Sequence, residues 1–328
     1  MVFADGMPLH YHLQTRWSGS PRWSLVSPSE IEAAEVIYGP YSAEYSGNAM
    51  GGVVNLYTRN PTERKINIET GYFSQSYDIL NTNESFTGNK LFASIEDRIG
   101  NTSYFLSFNR LDNEGQPQTQ HRSGASRRSA SLTGASGAIL SKEERGRDIV
   151  YFGDSGPEES LTELVKLKVI HDLGDFQLRG NIAYEQRERD ESDPNNYLRD
   201  SSGNVFYDRN FSLASDPSTV YDTTSWGTSV FQNRMQERDS FLVGFGVGGP
   251  INNSGWLFDA YFSSFEILDD VEIRTGRNPN ASDFQSANAR FAGRITKFDD
   301  TGWQIFDFKV GTENLFGNDS MRLSLGLH

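Results

Sequence analysis

The chain has 328 residues, carries a formal net charge of −14 and contains no cysteine. The lack of cysteine excludes disulfide frameworks, zinc–thiolate sites and thiol nucleophiles, and the negative charge disfavours a nucleic acid as partner. No stretch approaches the roughly 20 apolar residues of a membrane-spanning helix, and no signal-peptide pattern is present at the start. These features exclude a helical membrane protein and leave open a membrane barrel made of strands.

The first 62 residues predict short strands separated by turns that contain glycine. In chain order, "VFADGMPL" runs into a turn at Asp5-Gly6, and "SEIEAAEVIYGP" alternates in polarity before a break at Gly39-Pro40. The segment "AEYSGNAMGGVVNLYT" then passes Gly51 and Gly52 into another apolar strand. Because glycine suits positive φ and close backbone approach, this region is expected to be a small, tightly packed unit.

From about residue 65 onward, apolar and polar residues alternate with a period of two, which is typical of strands with two different faces. The alternating segments are "KINIETGYF", "SYFLSFNRL", "FQLRGNIAYE" and the stretches near 241–247, 256–262, 289–295, 306–310 and 321–327. Stretches with helical periodicity are nearly absent. The sequence therefore predicts a mainly all-β chain with roughly ten strands of this kind.

The connections between these strands alternate between long and short. The long ones are predicted at 74–89, 112–160, 188–235 and 268–287, and the short ones near 100–101 and at 172–175, 248–255 and 299–302. A last join at 317–320 is short where a long one is expected. Long loops at one end and short turns at the other are typical of an outer-membrane barrel, and this pattern favours such a barrel over a soluble all-β fold.

Several motifs in the first 60 residues resemble the end of the plug domain of TonB-dependent outer-membrane receptors. The matching positions are Asp5, Gly6, Pro8, Glu32, Glu35, Gly39, Pro40, Tyr45, Gly51, Gly52 and Asn55. Two positions depart from the family pattern: Tyr38 stands where the family usually has an arginine, and Gly47 comes one residue late after Tyr45. The arginine's absence puts an ionic contact between plug and barrel wall at that position in doubt.

The resemblance implies a small α+β plug domain, of which residues 1–62 are the C-terminal part, followed at 63–328 by the N-terminal part of an antiparallel transmembrane β-barrel. About ten of the 22 strands of this plugged class are expected. The chain is expected to be incomplete, to lack the signal peptide and the energy-coupling segment, and to be inactive alone.

The function implied by the resemblance is active uptake of a scarce nutrient across the outer membrane of a Gram-negative bacterium. The solute would be an iron–siderophore chelate or another large solute such as cobalamin or an oligosaccharide. The implied partners are the TonB–ExbB–ExbD energy-transducing complex, the outer-membrane lipid and the nutrient. The receptor is expected to be a monomer, with no cofactor and no resident metal.

Two pairs of residues in the N-terminal region suggest chemistry. Glu32 and Glu35 lie three apart on a predicted strand and therefore point to opposite faces, so contacts with the barrel wall are favoured over acid–base catalysis. His10 and His12 share a face, as metal ligands would, but no third ligand is near and a solvated loop is favoured.

Other segments suggest ligand binding. "GNAMGGVVN" is rejected as a phosphate loop because a strand follows it where a helix is needed. The segment 121–130, "HRSGASRRSA", is favoured as a solvated part of a loop over an anion site. Trp17 and Trp23 are the candidates for a ligand-facing apex.

Two alternatives from other functional classes remain open on sequence alone. A soluble all-β module that binds carbohydrate or a surface would have a core between two sheets. A β-rich hydrolase would use some of the 44 aspartates and glutamates. The receptor is favoured over both, and the chain is expected not to be an enzyme.

Overall fold

The computed structural model describes residues 1–10, 21–38, 45, 51–126, 129–130, 132–191, 193–205, 210–222, 230–252, 254–275, 293–318 and 320–327. Within these ranges the regular secondary structure is almost entirely strand, as the sequence predicts, with two short 3-10 turns besides. No helix in the described part of the chain has the length and apolar character needed to cross a membrane.

The residues before 62 form a small four-stranded sheet, which we call the N-terminal unit. Its elements are β1 (Val2–Ala4), β2 (Met7–Pro8), two 3-10 turns (Trp23–Leu25 and Pro28–Glu30), β3 (Ile31–Ile37) and β4 (Val53–Thr58). The strand order is β2-β1-β4-β3. Asp5 and Gly6 both have positive φ (47° and 85°), as a tight hairpin turn between β1 and β2 requires.

The following strands belong to two further sheets. They are β5 (Lys65–Ile79), β6 (Thr82–Ile99), β7 (Thr102–Gly115), β8 (Gln120–Ser126), β9 (Leu132–Ala135), β10 (Ile139–Lys142), β11 (Asp148–Asp154), β12 (Glu158–Leu173), β13 (Phe176–Glu191), β14 (Asn210–Leu213), β15 (Val220–Asp222), β16 (Arg234–Pro250), β17 (Trp256–Arg274), β18 (Arg294–Lys297), β19 (Thr301–Thr312) and β20 (Leu323–Leu327).

The larger sheet, which we call the wall, has ten antiparallel strands in the order β20-β19-β17-β16-β13-β12-β7-β6-β5, with β18 also pairing with β17. Its residues alternate between two faces. On β12, Leu164, Lys166 and Lys168 are buried under the N-terminal unit, whereas Val165 and Leu167 are exposed. An apolar outer face and a polar inner face are the pattern of a membrane barrel, so the predicted fold class is confirmed.

The prediction of a long connection at 74–89 is wrong. β5 and β6 pair continuously from Lys65–Glu96 to Ile79–Thr82, and only Leu80 and Asn81 connect them. The polar composition of this segment suggested a loop, but Tyr77 and Phe86 are buried there. The hairpin continues beyond the expected strand length because its outer part packs against the second sheet.

The prediction that a short turn at 299–302 joins two neighbouring strands is also wrong. β18 and β19 both pair with β17, one beyond the other, so they occupy a single place in the wall. Between them, Asp300 has a φ of 56° and its N–H donates to the Ile267 carbonyl (2.9 Å). Because aspartate tolerates this left-handed conformation, an interruption within a strand resembles a turn in sequence. The connection between β19 and β20 is then a short one that follows a long one. The join at 317–320 is therefore no longer an exception to the alternation of long and short connections.

The predicted long joins at 112–160 and 188–235 contain a second sheet of six short strands, which we call the outer sheet. Its order is β10-β11-β8-β15-β14-β9. It has its own core, which includes Val150, Phe152, Leu198, Phe211 and Tyr221. Strands of three to seven residues show too little alternation to be recognised from sequence, so these segments were expected to be loops.

His121 lies in the core of the outer sheet. Its ring centroid is 6.0 Å from that of Phe152 and 5.7 Å from that of Phe231. Burial lowers the pKa of the imidazole below its usual value, although the charge of Asp154 and the backbone of Val230 act in the opposite direction. The imidazole is therefore neutral in the folded outer sheet at neutral pH.

This lowered pKa predicts that the outer sheet loses stability in mild acid. Above the usual histidine pKa of about 6.5 the imidazole is neutral in both the folded and the unfolded state, so stability does not change with pH on its account. As the pH falls below about 6.5, the unfolded state binds the proton first, and stability decreases until the lower pKa of the folded state is reached. The slope should approach about 1.4 kcal/mol per pH unit.

The measurement is the free energy of opening of β8 and β11 from hydrogen exchange at several pH values. His121→Phe, which retains an aromatic ring and removes the titrating group, should abolish this part of the pH dependence. An equal slope in both proteins between about pH 6.5 and 5 would contradict the prediction.

Candidate functional site

The N-terminal unit packs against the inner face of the wall through a shared apolar core. The core joins Val2, Ala4, Met7, Leu9, Leu25, Val26 and Leu56 of the unit to Leu164, Ala183, Leu242, Tyr261, Phe265 and Ile267 of the wall. Gly244 provides room for this contact, since a Cβ atom there would lie 2.5 Å from the Met7 sulfur. The wall strands at this core are β12, β13, β16 and β17.

A buried ion pair crosses the interface beside this core. The Lys166 Nζ lies 3.2 Å from the Glu30 Oε1, and the two side chains are only 2% and 0% exposed. The same Glu30 oxygen accepts a hydrogen bond from the Ser27 N–H (2.9 Å), which completes a capping box around the turn Pro28–Glu30. The turn therefore orients the carboxylate that meets the wall.

A second lysine on the same strand meets the hairpin of the N-terminal unit. The Lys168 Nζ donates to the Thr58 carbonyl (3.1 Å) and hydroxyl (3.0 Å) and lies 3.3 Å from the Asp5 Oδ2. Asp5 is held in turn by the Thr58 N–H, which donates to its Oδ1 (2.9 Å), and by the Thr58 hydroxyl. The predicted Asp5-Gly6 turn thus places a carboxylate against the wall.

Arg22 extends the charged contact toward the end of the wall at which the long connections between strands lie. Burial, followed by the nearby positive charge of Arg238, lowers the pKa of Arg22 to about 10. Arg238 forms an ion pair with Asp270 (2.6 Å), and the carboxylates of Glu185 and Asp270 favour the charged form of Arg22. The guanidinium therefore stays charged at neutral pH within a partly desolvated group of arginines and acids.

The N-terminal unit also carries a polar cluster centred on Asn55, which shares a cavity with wall residues such as Arg179 and Asp307. Its amide nitrogen donates to the Glu35 Oε2 (3.0 Å) and to the Tyr45 hydroxyl (3.3 Å), and the Tyr57 hydroxyl donates to the same Glu35 oxygen (3.1 Å). Burial and this hydrogen bond raise the pKa of Tyr57. Three of the motif residues, Glu35, Tyr45 and Asn55, are thus brought together, and Glu35 accepts hydrogen bonds within the unit.

The other predicted residues are placed as follows. Asp5, Gly6 and Pro8 lie at the β1–β2 hairpin, and Gly51 and Gly52 precede β4. Glu32 is exposed on β3 and Trp23 is 54% exposed. Trp17, Gly39 and Pro40 lie outside the described residues, as does His12. The described residues contain no cluster of three or more side chains suited to a metal ion.

The His10 imidazole, considered as a metal ligand from sequence, has a structural role. Its Nε2 accepts from the Val2 N–H (2.8 Å), and its carbonyl accepts from the Trp303 indole N–H (2.6 Å). His10 therefore connects β1 to wall strand β19.

Sequence reasoning missed Glu30, Lys166 and Lys168. Two signals for them existed. The spacing of Ser27 and Glu30 is that of a capping box, which places a glutamate at a defined turn. The segment "LVKLKV" puts two lysines on one face of an apolar strand, and such lysines require partners if that face is covered.

We predict that Lys166→Met destabilises the docked N-terminal unit by about 3 kcal/mol, because it leaves the buried Glu30 carboxylate without its cation. Lys166→Met combined with Glu30→Gln should recover most of this loss, since no buried charge then remains. The measurement is denaturant unfolding of the detergent-purified protein, together with the rate at which protease cleaves the N-terminal unit.

The matched control is Arg98→Met, which removes an exposed ion pair with Asp172 (2.8 Å). It should cost less than about 1 kcal/mol. Equal effects of Lys166→Met and Arg98→Met, or a double variant no more stable than Lys166→Met, would show that the buried pair does not hold the unit.

Comparisons with known proteins agree with this arrangement. Residues 1–53 match the family described as TonB-dependent Receptor Plug Domain. The ferric enterobactin receptor PirA of Pseudomonas aeruginosa is 36% identical over 72 residues, which are 20% of this chain and 9% of that protein. A solved mutant of the ferric enterobactin receptor PfeA, also of P. aeruginosa, has a TM-score of 0.53 at 14% identity and covers 99% of this chain.

The match to PfeA extends over 40% of that chain, so the present chain spans less than half the length of the solved relative. At this identity the likeness to PfeA shows the fold alone. Residues 1–53 are therefore similar to the plug domain of the TonB-dependent receptors, and the chain shares the fold of PfeA.

Proposed function

We propose that this chain is part of an outer-membrane receptor that takes up a ferric siderophore with energy supplied through TonB. The observation that carries the proposal is a plug-family unit docked on the polar inner face of a barrel wall by buried ion pairs. The wall's outer face is apolar, which suits lipid. The proposed activity belongs to the receptor that contains this chain, and the chain alone is proposed to be inactive.

The ferric siderophore is proposed because both reported relatives are named ferric enterobactin receptors. Cobalamin and an oligosaccharide remain the other large solutes that this family implies. The relatives are receptors, and we propose that this protein likewise binds and transports its solute without catalysing a reaction. The proposed energy source is the TonB–ExbB–ExbD complex.

The proposed division into plug and barrel falls between Asn60-Pro61 and β5. β4 ends at Thr58, and the first wall strand begins at Lys65. The Pro61 carbonyl accepts from the Ser103 hydroxyl on wall strand β7 (2.8 Å), so the connecting segment is tied to the wall. The boundary at residue 62 therefore separates a part that can be displaced from a part that stays in the wall.

The polar character of the interface supports a displaceable plug. A buried ion pair has a large desolvation cost, and its two charges regain water when they separate, so it resists separation less than its Coulombic attraction suggests. Lys166, Lys168, Glu30 and Asp5 are thus hydrated by a water-filled lumen when the unit moves, and the apolar core beside them supplies the main resistance to that movement. Trp23, exposed on the N-terminal unit, and Trp17 are proposed to face the solute on the outer side.

The test is uptake of radioactive iron supplied as ferric enterobactin. The complete receptor is expressed in iron-limited cells that lack other catecholate receptors. We expect iron to accumulate in these cells, and we expect accumulation, but not surface binding, to be lost when the TonB gene is deleted. Expression of residues 1–328 alone should give no accumulation.

Two outcomes would contradict the proposal. Accumulation that persists without TonB would exclude the proposed energy source. Neither binding nor accumulation of ferric enterobactin by a correctly folded receptor would exclude this solute class, and cobalamin and oligosaccharides would then be tested in the same cells.

A further inference from the structure

The outer sheet contacts a part of the wall to which the chain does not directly join it. Its strands belong to the connections between β7 and β12 and between β13 and β16, so the chain joins it to those four strands. The hairpin formed by β5 and β6 has no such connection to it. Tyr77 and Phe86 of this hairpin are nevertheless buried, and the Gln120 side chain on β8 donates to the Tyr77 hydroxyl (3.0 Å). The outer sheet is therefore also attached to the β5–β6 hairpin.

A segment of the connection after β13 lies along β11. It comprises residues 193–198, which we call the strap. The Asp154 N–H donates to the Asn195 carbonyl (2.9 Å), and the Tyr197 N–H donates to the Phe152 carbonyl (3.0 Å). These backbone hydrogen bonds join the second long connection to the sheet formed by the first.

Glycines allow the strap to lie this close to the outer sheet. A Cβ atom at Gly153 would collide with the Asn195 carbonyl oxygen, and one at Gly137 would collide with the Tyr197 carbonyl oxygen. Glycine within a sheet often marks such a close approach of another backbone. The strap is therefore packed against the sheet backbone to backbone.

One buried carboxylate connects the strap, the outer sheet and the hairpin. Asp154, the last residue of β11, is 1% exposed. Its Oδ1 accepts from the Asn195 side-chain amide (2.8 Å) and the Gly156 N–H (2.8 Å). Its Oδ2 accepts from the Tyr197 hydroxyl (2.5 Å) on the strap and the Thr82 hydroxyl (2.5 Å) on the hairpin. Asp154 thus holds parts of three separate chain segments at one point.

A carboxylate is well suited to this task. Hydrogen bonds to a charged acceptor are stronger than those between neutral groups, and a buried acceptor that loses its donors is costly. Burial and the hydrogen bond to Asp154 raise the pKa of Tyr197, so its hydroxyl keeps its proton and remains a donor. The outer sheet cannot leave the hairpin without losing the hydrogen bond between Thr82 and Asp154.

We propose that Asp154 is a positioning residue for solute binding, which fastens the outer sheet to the β5–β6 hairpin so that the sheet stays in place while the N-terminal unit moves. The proposal rests on the proposed uptake function, in which the solute arrives at the end of the wall where the long connections lie. The solute then meets a surface that is already ordered. Because only receptors with the sheet in place bind well, the apparent affinity falls in proportion to their fraction.

The first test compares binding and uptake of ferric enterobactin by cells that express the complete receptor. Asp154→Asn keeps the shape of the side chain and puts an amide where an oxygen accepts hydrogen bonds. We expect the apparent dissociation constant to rise about tenfold, because the sheet is then in place in about a tenth of the receptors. The maximal uptake rate at saturating solute should not change, since the contacts of the N-terminal unit with the wall are untouched.

Two tyrosine variants distinguish fastening from the general stability of the outer sheet. Tyr197→Phe removes one donor to Asp154 and should raise the dissociation constant by a smaller factor, which also guards against a folding defect of Asp154→Asn. Tyr221→Phe is the matched control, because the buried Tyr221 donates to Asp216 (3.2 Å) between β14 and β15. It should leave the dissociation constant unchanged, and equal effects of the two tyrosine variants would overturn the proposal.

A second measurement needs no solute and uses the absence of cysteine from this chain. The Asn81 side chain on the hairpin donates to the Gly137 carbonyl (2.8 Å), next to Ser136, and both Asn81 and Ser136 are exposed. In Asn81→Cys combined with Ser136→Cys, a short bifunctional methanethiosulfonate should cross-link the pair, as followed by mass spectrometry. Asp154→Asn should slow this cross-linking, and Tyr221→Phe should not.

The cross-linked receptor shows whether the outer sheet stays in place during uptake. The cross-link should leave binding and uptake of the otherwise unchanged receptor as they were, and it should restore tight binding to Asp154→Asn until a reducing agent breaks it. Loss of uptake on cross-linking would overturn the proposal, as would unchanged binding or an unchanged cross-linking rate in Asp154→Asn. If the unsubstituted receptor does not bind ferric enterobactin, the proposed solute is wrong, and the cross-linking rates still decide whether Asp154 fastens the sheet.

Discussion

Two buried lysine side chains determine how the two parts of this protein fit together. Lys166 and Lys168 lie on the inner face of β12, flanked on that face by the buried Leu164 and Ile170. Buried ammonium groups are tolerated in proteins when carboxylates and hydrogen-bond acceptors surround them, and Glu30, Asp5 and Thr58 supply these from the N-terminal unit. The wall strand and the N-terminal unit therefore constrain each other's position.

Much of the wall follows from one local rule, the alternation of residues along a strand. Segments such as 176–185 carry the rule over many residues, and their strands were predicted correctly. The rule failed where a local pattern has two physical solutions. At Asp299 to Gly302 the same residues suit a turn and a strand interruption, and pairing of both β18 and β19 with β17 decides the outcome. The short strands of the outer sheet depend on a core assembled from distant segments, which a local rule does not contain.

The interface between the N-terminal unit and the wall was also predictable only where it depends on local sequence. The Asp5-Gly6 turn and the strands around Asn55 were predictable because turn chemistry and alternation are local. Tyr38, which stands where the family pattern has an arginine, is exposed. The structure makes the ionic contacts elsewhere, with the cations on the wall and the carboxylates of Glu30 and Asp5 on the N-terminal unit. Which carboxylate meets which lysine depends on contacts more than 100 residues apart, and no spacing in the sequence encodes them.

Different contacts in the interface hold the N-terminal unit on the wall and fix its position there. Apolar burial contributes about 25 cal/mol per Å² and is lost in full when the surfaces part, so the shared core of Met7, Leu9 and Leu242 resists displacement most strongly. The ion pairs contribute less to the net free energy, because charges that separate into water are hydrated again, but they exclude wrong registers in which a charge would be buried alone. The core and the ion pairs meet on β12, where Leu164, Lys166 and Lys168 follow one another on the inner face, so one strand of the wall both holds the unit and fixes its register.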